Sequence, residues 1–258
     1  MKKISVVVFF ALTLMVMNSF TLFAQSLNDI AWLTEDYPPF NYEENGTKKG
    51  IAVDLLLEMF KRSGVEKGQS DIKIVPWARG VKLLETDKNT CLFATTLTPH
   101  RKKVLGYKFV FPIPQTSMKS SNHIIAPKAS GIKINTASEL KKYRVGVVRG
   151  DVGQGLAEEA GVPAGSIDMC NNGEAIIKKI KKKRFDVASY GFDTFSTKLK
   201  EAGENPDDYE IVFSFPPMQM GYAFNKDCDP AILKKLQVAL DEITKDGTAE
   251  KIKNKYKK

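Results

Sequence analysis

The sequence predicts a two-lobed α/β protein, and three observations support this. Short apolar runs of strand length alternate with stretches of helical periodicity, the pattern of a mainly parallel sheet flanked by helices. The alternation occurs twice, before and after a proline-broken apolar segment, Phe109-Val110-Phe111-Pro112-Ile113-Pro114, and a second such segment, Phe213-Ser214-Phe215-Pro216-Pro217, precedes the closing elements. Composition allows two cores: 43% of the 258 residues are hydrophobic and 27% charged, with 18 Gly and 12 Pro, which excludes disordered and collagen-like chains.

In the first series, residues 29–34 read as a strand delivering the rigid loop Glu35-Asp36-Tyr37-Pro38-Pro39-Phe40. Asn45-Gly46 marks a turn, and residues 50–60 carry apolar side chains at helical spacing up to a stop near Ser63-Gly64. Residues 72–75 are the next strand, Pro76-Trp77 opens a helix through Leu84, and residues 91–95 form a third strand. In the second series, residues 143–148 form a strand running into Arg149-Gly150-Asp151, with Gly153 and Gly155 opening a helix. Residues 171–183 are an amphipathic helix burying Ile176, Ile177 and Ile180, and they lead into a strand at 185–189. After the second proline segment, residues 221–225 return as a strand. A helix over 230–245, a stop at Gly247 and a short basic helix close the chain.

Residues 1–24 read as a secretory signal peptide. Met1, Lys2 and Lys3 form a basic start, residues 4–17 are apolar apart from Ser5 and Thr13, and the small Ala24 marks the cut. A spanning anchor is the rival, at roughly 20 residues, but Asn18 and Ser19 interrupt the run and no basic stop-transfer cluster follows. Export places Cys91, Cys170 and Cys228 in an oxidising compartment, where an odd count leaves at least one thiol unpaired; Cys91 with Cys228 is the pairing considered. Removing Lys2 and Lys3 reduces the net charge from +9 to +7, and the last eight residues carry five lysines. The basicity therefore describes a solvated tail and gives no reason to expect a nucleic-acid partner. The cysteine spacing fits no zinc pattern, the glycines between 146 and 153 do not make a dinucleotide fingerprint, and no cofactor is expected.

Four segments, in order, carry a family resemblance: Tyr37-Pro38-Pro39-Phe40-Asn41-Tyr42 with Gly50-Ile51-Ala52-Val53-Asp54-Leu55; Thr96-Leu97-Thr98-Pro99-His100-Arg101; residues 145–151 with Lys183-Arg184-Phe185-Asp186-Val187-Ala188; and Gly221-Tyr222-Ala223-Phe224 with Asp246-Gly247-Thr248. With them the mature chain resembles the bacterial extracellular solute-binding proteins of family 3, the polar amino-acid type. The resemblance implies a type II periplasmic binding protein fold, two lobes that close on a ligand like a hinged clamp. Residues 25–113 and 218–258 would form a discontinuous first lobe, residues 114–217 the second, and the two proline segments the hinge crossings.

It also implies a site. Arg101 would grip the ligand's carboxylate through its two parallel donors, with Thr96 and backbone amides of the same loop adding neutral hydrogen bonds, and Thr98 of that loop is taken into the candidate set. Without the resemblance, Arg101 reads with Lys102 and Lys103 as an exposed basic turn. Tyr37 and Trp77 are candidates for the cleft wall, whereas Trp32 and Phe40 read as core. Glu35 and Asp36 each suit a ligand cation or a turn cap, and Asp36 is taken into the candidate set. Arg149 and Asp151 sit where a strand runs into a helix and exposed backbone N–H groups can receive an anion. One departure stands out. Where the amino-acid binders place an aspartate for the α-ammonium, this chain has Gly191, with Tyr190 and Asp193 beside it as candidates. Either Asp193 substitutes, its alternative being a helix N-cap, or the ligand is not a standard α-amino acid.

The function expected is a monomeric periplasmic solute-binding protein that closes on a small carboxylate-bearing ligand, an amino acid or related organic acid, and delivers it to an ABC permease. A sensing module for a membrane receptor, or a cyclohexadienyl or arogenate dehydratase-like enzyme on the same fold, are the alternatives. His100 and His123 form no nucleophile-base arrangement in the sequence.

Overall fold

The computed structural model describes residues 26–113 and 122–256. The signal-peptide reading and Pro114, at the expected boundary between lobes, lie outside them. The strands, in chain order, are β1 (Ala31–Thr34), β2 (Tyr42–Glu44), β3 (Thr47–Lys49), β4 (Ile72–Ile74), β5 (Thr90–Thr96), β6 (Lys108–Val110), β7 (Asn122–Pro127), β8 (Val145–Val148), β9 (Ile167–Cys170), β10 (Val187–Gly191), β11 (Tyr209–Ser214) and β12 (Met220–Phe224). The α-helices are α1 (Ile51–Arg62), α2 (Trp77–Thr86), α3 (Val152–Glu159), α4 (Gly173–Lys181), α5 (Phe192–Glu201), α6 (Pro230–Lys245) and α7 (Thr248–Asn254).

Two five-stranded sheets result, ordered β4-β1-β5-β12-β6 and β11-β7-β10-β8-β9. In the first, β1 is parallel to β4 and β5, while β12 is antiparallel to β5 and β6. In the second, β8 is parallel to β9 and β10, while β7 is antiparallel to β10 and β11. Each sheet is therefore mainly parallel with a single reversed strand. That strand is the first to follow each proline-marked segment, so the chain enters both sheets from the opposite end after crossing between them.

The local chemistry accounts for the element ends. The α6 helix starts where Asp229 accepts a hydrogen bond from the Ala231 N–H and Pro230 occupies the first turn. Asn45 and Gly46 both take positive φ, 51° and 74°, which suits the two-residue hairpin between β2 and β3. Gly50 precedes α1 with φ 120°, and a Cβ there would lie 2.2 Å from the Phe40 carbonyl oxygen, so the backbone approach requires glycine.

Trp32 is fully buried, edge-on to Phe60 at 4.8 Å and to Phe224 at 5.9 Å, in a core shared with Phe40, Leu55 and Leu236, in keeping with the core reading of Trp32 and Phe40. A second core surrounds Ile124, Val145, Val147 and Val187. A third cluster joins the two sheets, packing Leu33, Trp77 and Leu92 with Val148, Ile176 and Tyr190. Three expectations need amending. Residues 108–110 form an edge strand before the prolines begin, β7, β9 and β11 were not foreseen, and Cys91, Cys170 and Cys228 are all free and buried, so the Cys91–Cys228 pair is not formed.

Candidate ligand-binding site

The site lies where the ends of β1 and β5 on the first sheet face the start of α3 and the end of β10 on the second. Past β5, the Thr98 hydroxyl accepts a hydrogen bond from the Arg101 N–H at 3.1 Å. The wide turn His100–Val104 then carries Arg101 inward, 6% exposed, while Lys102 and Lys103 stay at the surface. The exposed basic turn is therefore not what forms. Arg101 Nη1 donates to the Thr96 carbonyl at 3.0 Å, and Nη2 donates to the Gly150 carbonyl of the other lobe at 3.1 Å. Nη2 also lies 3.9 Å from Asp151 Oδ1, and the guanidinium carbon stands 5.2 Å from the centre of the Trp77 ring. A buried guanidinium stacked on an indole keeps its charge and its remaining donors in a fixed plane.

Two carboxyls share this space. Asp151 is the N-cap of α3, its Oδ1 accepting from the Val152 N–H at 2.6 Å. Burial pushes its carboxyl up from the ordinary range, and Arg101 opposes the shift. Glu35 is 8% exposed; burial, then the charges of Asp151 and Asp36, push it well above the ordinary carboxylate range, with Arg101 and Lys198 opposing. Among the described residues no side chain or backbone N–H donates to the Glu35 carboxylate. Glu35, Tyr37, Thr96, Asn122, Asp151 and Met220 border a cavity of about 20 Å³, room for a single water. Admitting an organic molecule therefore requires the lobes to part. Ala94 borders the same cavity at φ 57°, where the pairing of β5 with β12 shifts register between Gly221 and Tyr222.

A second set of contacts lies at the rim. Lys198, 4% exposed, pairs with Asp36 of the first lobe and with Glu201 at 2.9 Å, and the Thr194 hydroxyl donates to the Pro38 carbonyl at 2.7 Å. Between rim and centre, the Tyr37 ring stacks on Phe40 at 6.0 Å and meets Tyr190 edge-on at 5.5 Å. Its hydroxyl occupies the space a side chain at 191 would need: a Cβ on Gly191 would lie 2.1 Å from it.

The structure thus brings Arg101, Thr96, Tyr37, Trp77 and Asp151 together, with Tyr190 behind Tyr37. It does not bring the other candidates. Thr98 holds the turn, Asp36 is committed to Lys198, and Arg149 is exposed with Nη1 3.2 Å from the Met169 sulfur. Asp193 is exposed in the first turn of α5, whose N-cap is Gly191, so it neither caps the helix nor borders the cavity. Glu35 and Asn122 are the participants the candidate set left out. Strand alternation past β1 sends Glu35 inward and Asp36 outward and could have separated the pair. Asn122 opens a strand that no pattern announced.

The sequence profile of the bacterial extracellular solute-binding proteins, family 3, matches residues 30–258. The chain belongs to that family. Within it, the chain is 27% identical over 239 residues to the arginine-binding extracellular protein ArtP of Bacillus subtilis (strain 168), covering 86% of this chain and 82% of that one. It is 26% identical over 226 residues to a probable histidine-binding protein of Neisseria gonorrhoeae, covering 86% and 80%. Among solved structures, an ancestral arginine-binding protein bound to arginine superposes with a TM-score of 0.71 at 25% identity, covering 90% of this chain and 99% of that one. The family 3 fold is thus that of a type II periplasmic binding protein, and solute binding is the role this family member shares with its relatives.

Proposed function

We propose that this family 3 protein binds a small carboxylate-bearing solute, an amino acid or related organic acid, between its lobes and delivers it to an ABC permease in the periplasm. The observation that carries this reading is Arg101, buried between the lobes, its guanidinium plane set by Trp77 and bonded to a carbonyl on each side. When the lobes part, the bond to Gly150 breaks and the Nη2 donor faces the cleft, placed for a carboxylate oxygen. Closure then exchanges water for contacts on both faces of the solute, and the permease would read the closed surface. Residues 25–113 with 218–258 act as one jaw and residues 114–217 as the other, and the exported chain works as a monomer after removal of residues 1–24. The relatives named for arginine and histidine binding support an amino-acid-like solute.

Mass spectrometry of small molecules released on denaturing the freshly purified mature protein identifies the solute, and a thermal-shift titration with it is expected to raise Tm by mass action. Arg101→Ala is expected to weaken binding roughly 100-fold, the loss of two charge-assisted bonds. Unchanged affinity in that variant would show that the solute is held elsewhere.

A further inference from the structure

The positive charge of the chain is not all in its C-terminal tail. Six of the seven residues from Lys178 to Arg184 are basic, the exception being the buried Ile180. Two of the six are held by the second lobe itself, Lys179 by Asp168 and Lys181 by Glu204. Lys178, Lys182, Lys183 and Arg184 are exposed and have no ion-pair partner among the described residues. Cations near the end of a helix suit its dipole, but Lys178 and Lys182 stand four residues apart, where like charges repel. The run therefore exceeds what α4 needs for its own stability.

Beside this run, α4 and α5 leave an open groove of about 860 Å³, far larger than the cavity of the cleft. Four lysines and two glutamates line it, and one of the glutamates, Glu201, is already paired with Lys198. Ala175, Ile177 and Ala202 supply its apolar lining, and Lys178 and Lys182 stand along it. Lys198 borders it too, from the position where its ammonium holds Asp36 of the first lobe. An apolar channel flanked by unpaired cations is complementary to a helix with an apolar stripe edged by carboxylates. A flat lipid surface would meet the exposed lysines but would not fill a hollow between two helices.

We propose that the groove between α4 and α5 is a docking surface for an acidic amphipathic segment of a partner protein. The segment sets its apolar side chains on Ala175, Ile177 and Ala202 and its carboxylates on Lys178 and Lys182. The cleft and Arg101 take no part, so the docking surface stands or falls independently of the solute. Its occupant lies against Lys198, and hence beside the clasp that joins the lobes.

The test uses the mature protein and a fluorescently labelled synthetic helix of about 16 residues, with leucines along one face and glutamates flanking them, read by anisotropy. The acidic helix is expected to bind and to weaken with added salt, and a counterpart carrying lysines for glutamates is expected to bind at least roughly 10-fold more weakly. Lys178→Gln with Lys182→Gln removes two charges while keeping good helix formers, and should cost roughly 5- to 10-fold. Ala175→Phe fills the groove and should cost a comparable factor, whereas Arg101→Ala should bind the helix as the native chain does. The double variant changes only exposed side chains, so it carries the test even if Ala175→Phe fails to fold. Amide shifts on adding the helix are expected to cluster on residues 172–182 and 198–202. No binding, equal binding of the two helices, or a double variant that binds like the native chain would overturn the proposal. Vesicles of phosphatidylglycerol that bind the native and Ala175→Phe proteins alike, with no competition from the acidic helix, would assign the basic run to a lipid surface and overturn it as well.

Discussion

The rim and the centre of the cleft join the same two lobes in opposite ways. At the rim each group has a partner on the protein: Lys198 sits between Asp36 and Glu201, Thr194 donates to the Pro38 carbonyl, and the Tyr37 hydroxyl fills the space over Gly191. At the centre Arg101 reaches only a carbonyl and a carboxylate 3.9 Å away across the cleft, and Glu35 has no donor among the described residues. Buried polar groups are ordinarily satisfied, so the shortfall locates the place where something other than the chain completes the structure. The rim fits protein to protein, and it fixes how closely the lobes approach without fixing what lies between them.

Disturbing the centre has the largest effect on binding, the roughly 100-fold loss expected for Arg101→Ala. Disturbing the rim should act on closure. Gly191→Ala places a methyl group 2.1 Å from the Tyr37 hydroxyl and is expected to cost the closed form about 1–3 kcal/mol through overpacking. Small-angle scattering would register this as a larger radius of gyration, and titration as weaker binding of whichever solute is released from the native protein. Adding Tyr37→Phe removes the hydroxyl and leaves the ring carbon Cζ, at 3.1 Å, as the nearest atom, so most of the loss should be recovered. A Gly191→Ala protein as compact as the native one would show that the tyrosine moves aside freely and does not set the approach of the lobes.

Lys198→Met is a milder disturbance. Burial pulls the Lys198 ammonium down, but Asp36 and Glu201 together more than offset it and the group ends above its ordinary value. Methionine keeps the packed stem and removes both the ammonium and its desolvation cost, while Asp36, whose side chain is 38% exposed, regains water. The expected change in thermal stability is within about 1 kcal/mol, together with a modest shift toward the open form in scattering. A drop several times larger would mean that the clasp carries the lobe interface.

The sequence made this division only half legible. The helix at 230–245 was legible to the residue because Asp229 and Pro230 mark its start chemically, and the strands at 31–34, 72–74 and 90–96 were legible because their apolar runs are bounded by turns. Strands β7, β9 and β11 were not. They mix polar and apolar residues, and β11 is an edge strand with a register shift against β7, so none shows the continuous apolar signature of a central parallel strand. In the site, Arg101 was found through the family resemblance of the segment from Thr96 to Arg101, since its neighbours Lys102 and Lys103 alone read as an exposed basic turn. Glu35 and Asp36 were left unranked, although alternation carried on past β1 turns adjacent acids to opposite faces and so distinguishes the inward Glu35 from the outward Asp36. Asp193 and Arg149 were plausible in one dimension, but α5 begins at Phe192 and leaves Asp193 on its outer face, while Arg149 turns back to Met169. Gly191 was recognised as a departure, but its cause, a tyrosine from more than 150 positions away in the chain, is a tertiary fact.

The smallest expected effect links the two regions through pH. Glu35 and Asp151 are both held above the ordinary carboxylate range by burial. Between the ordinary value and the raised one, the folded chain keeps protons that the unfolded chain has released, so the folded state binds more protons and stability falls as pH rises through that window. Depressed carboxyls such as Asp246, held at about 2 mainly by the Thr248 side-chain and backbone hydrogen bonds, contribute stability that is lost as pH falls, a window below the first. Melting curves from about pH 4 to about pH 8, without added solute, should therefore show Glu35→Gln losing less stability toward neutral pH than the native chain, while His123, whose imidazole burial holds below its ordinary value, acts in the opposite sense in both. An unchanged slope in that variant would remove Glu35 as a source of the loss. Lys198 lowers the Glu35 carboxyl through its charge, so Lys198→Met should push Glu35 further up and enlarge the same loss. Opposite changes of slope in the two variants would show that the rim, though satisfied by the protein alone, helps set the charge state of the centre.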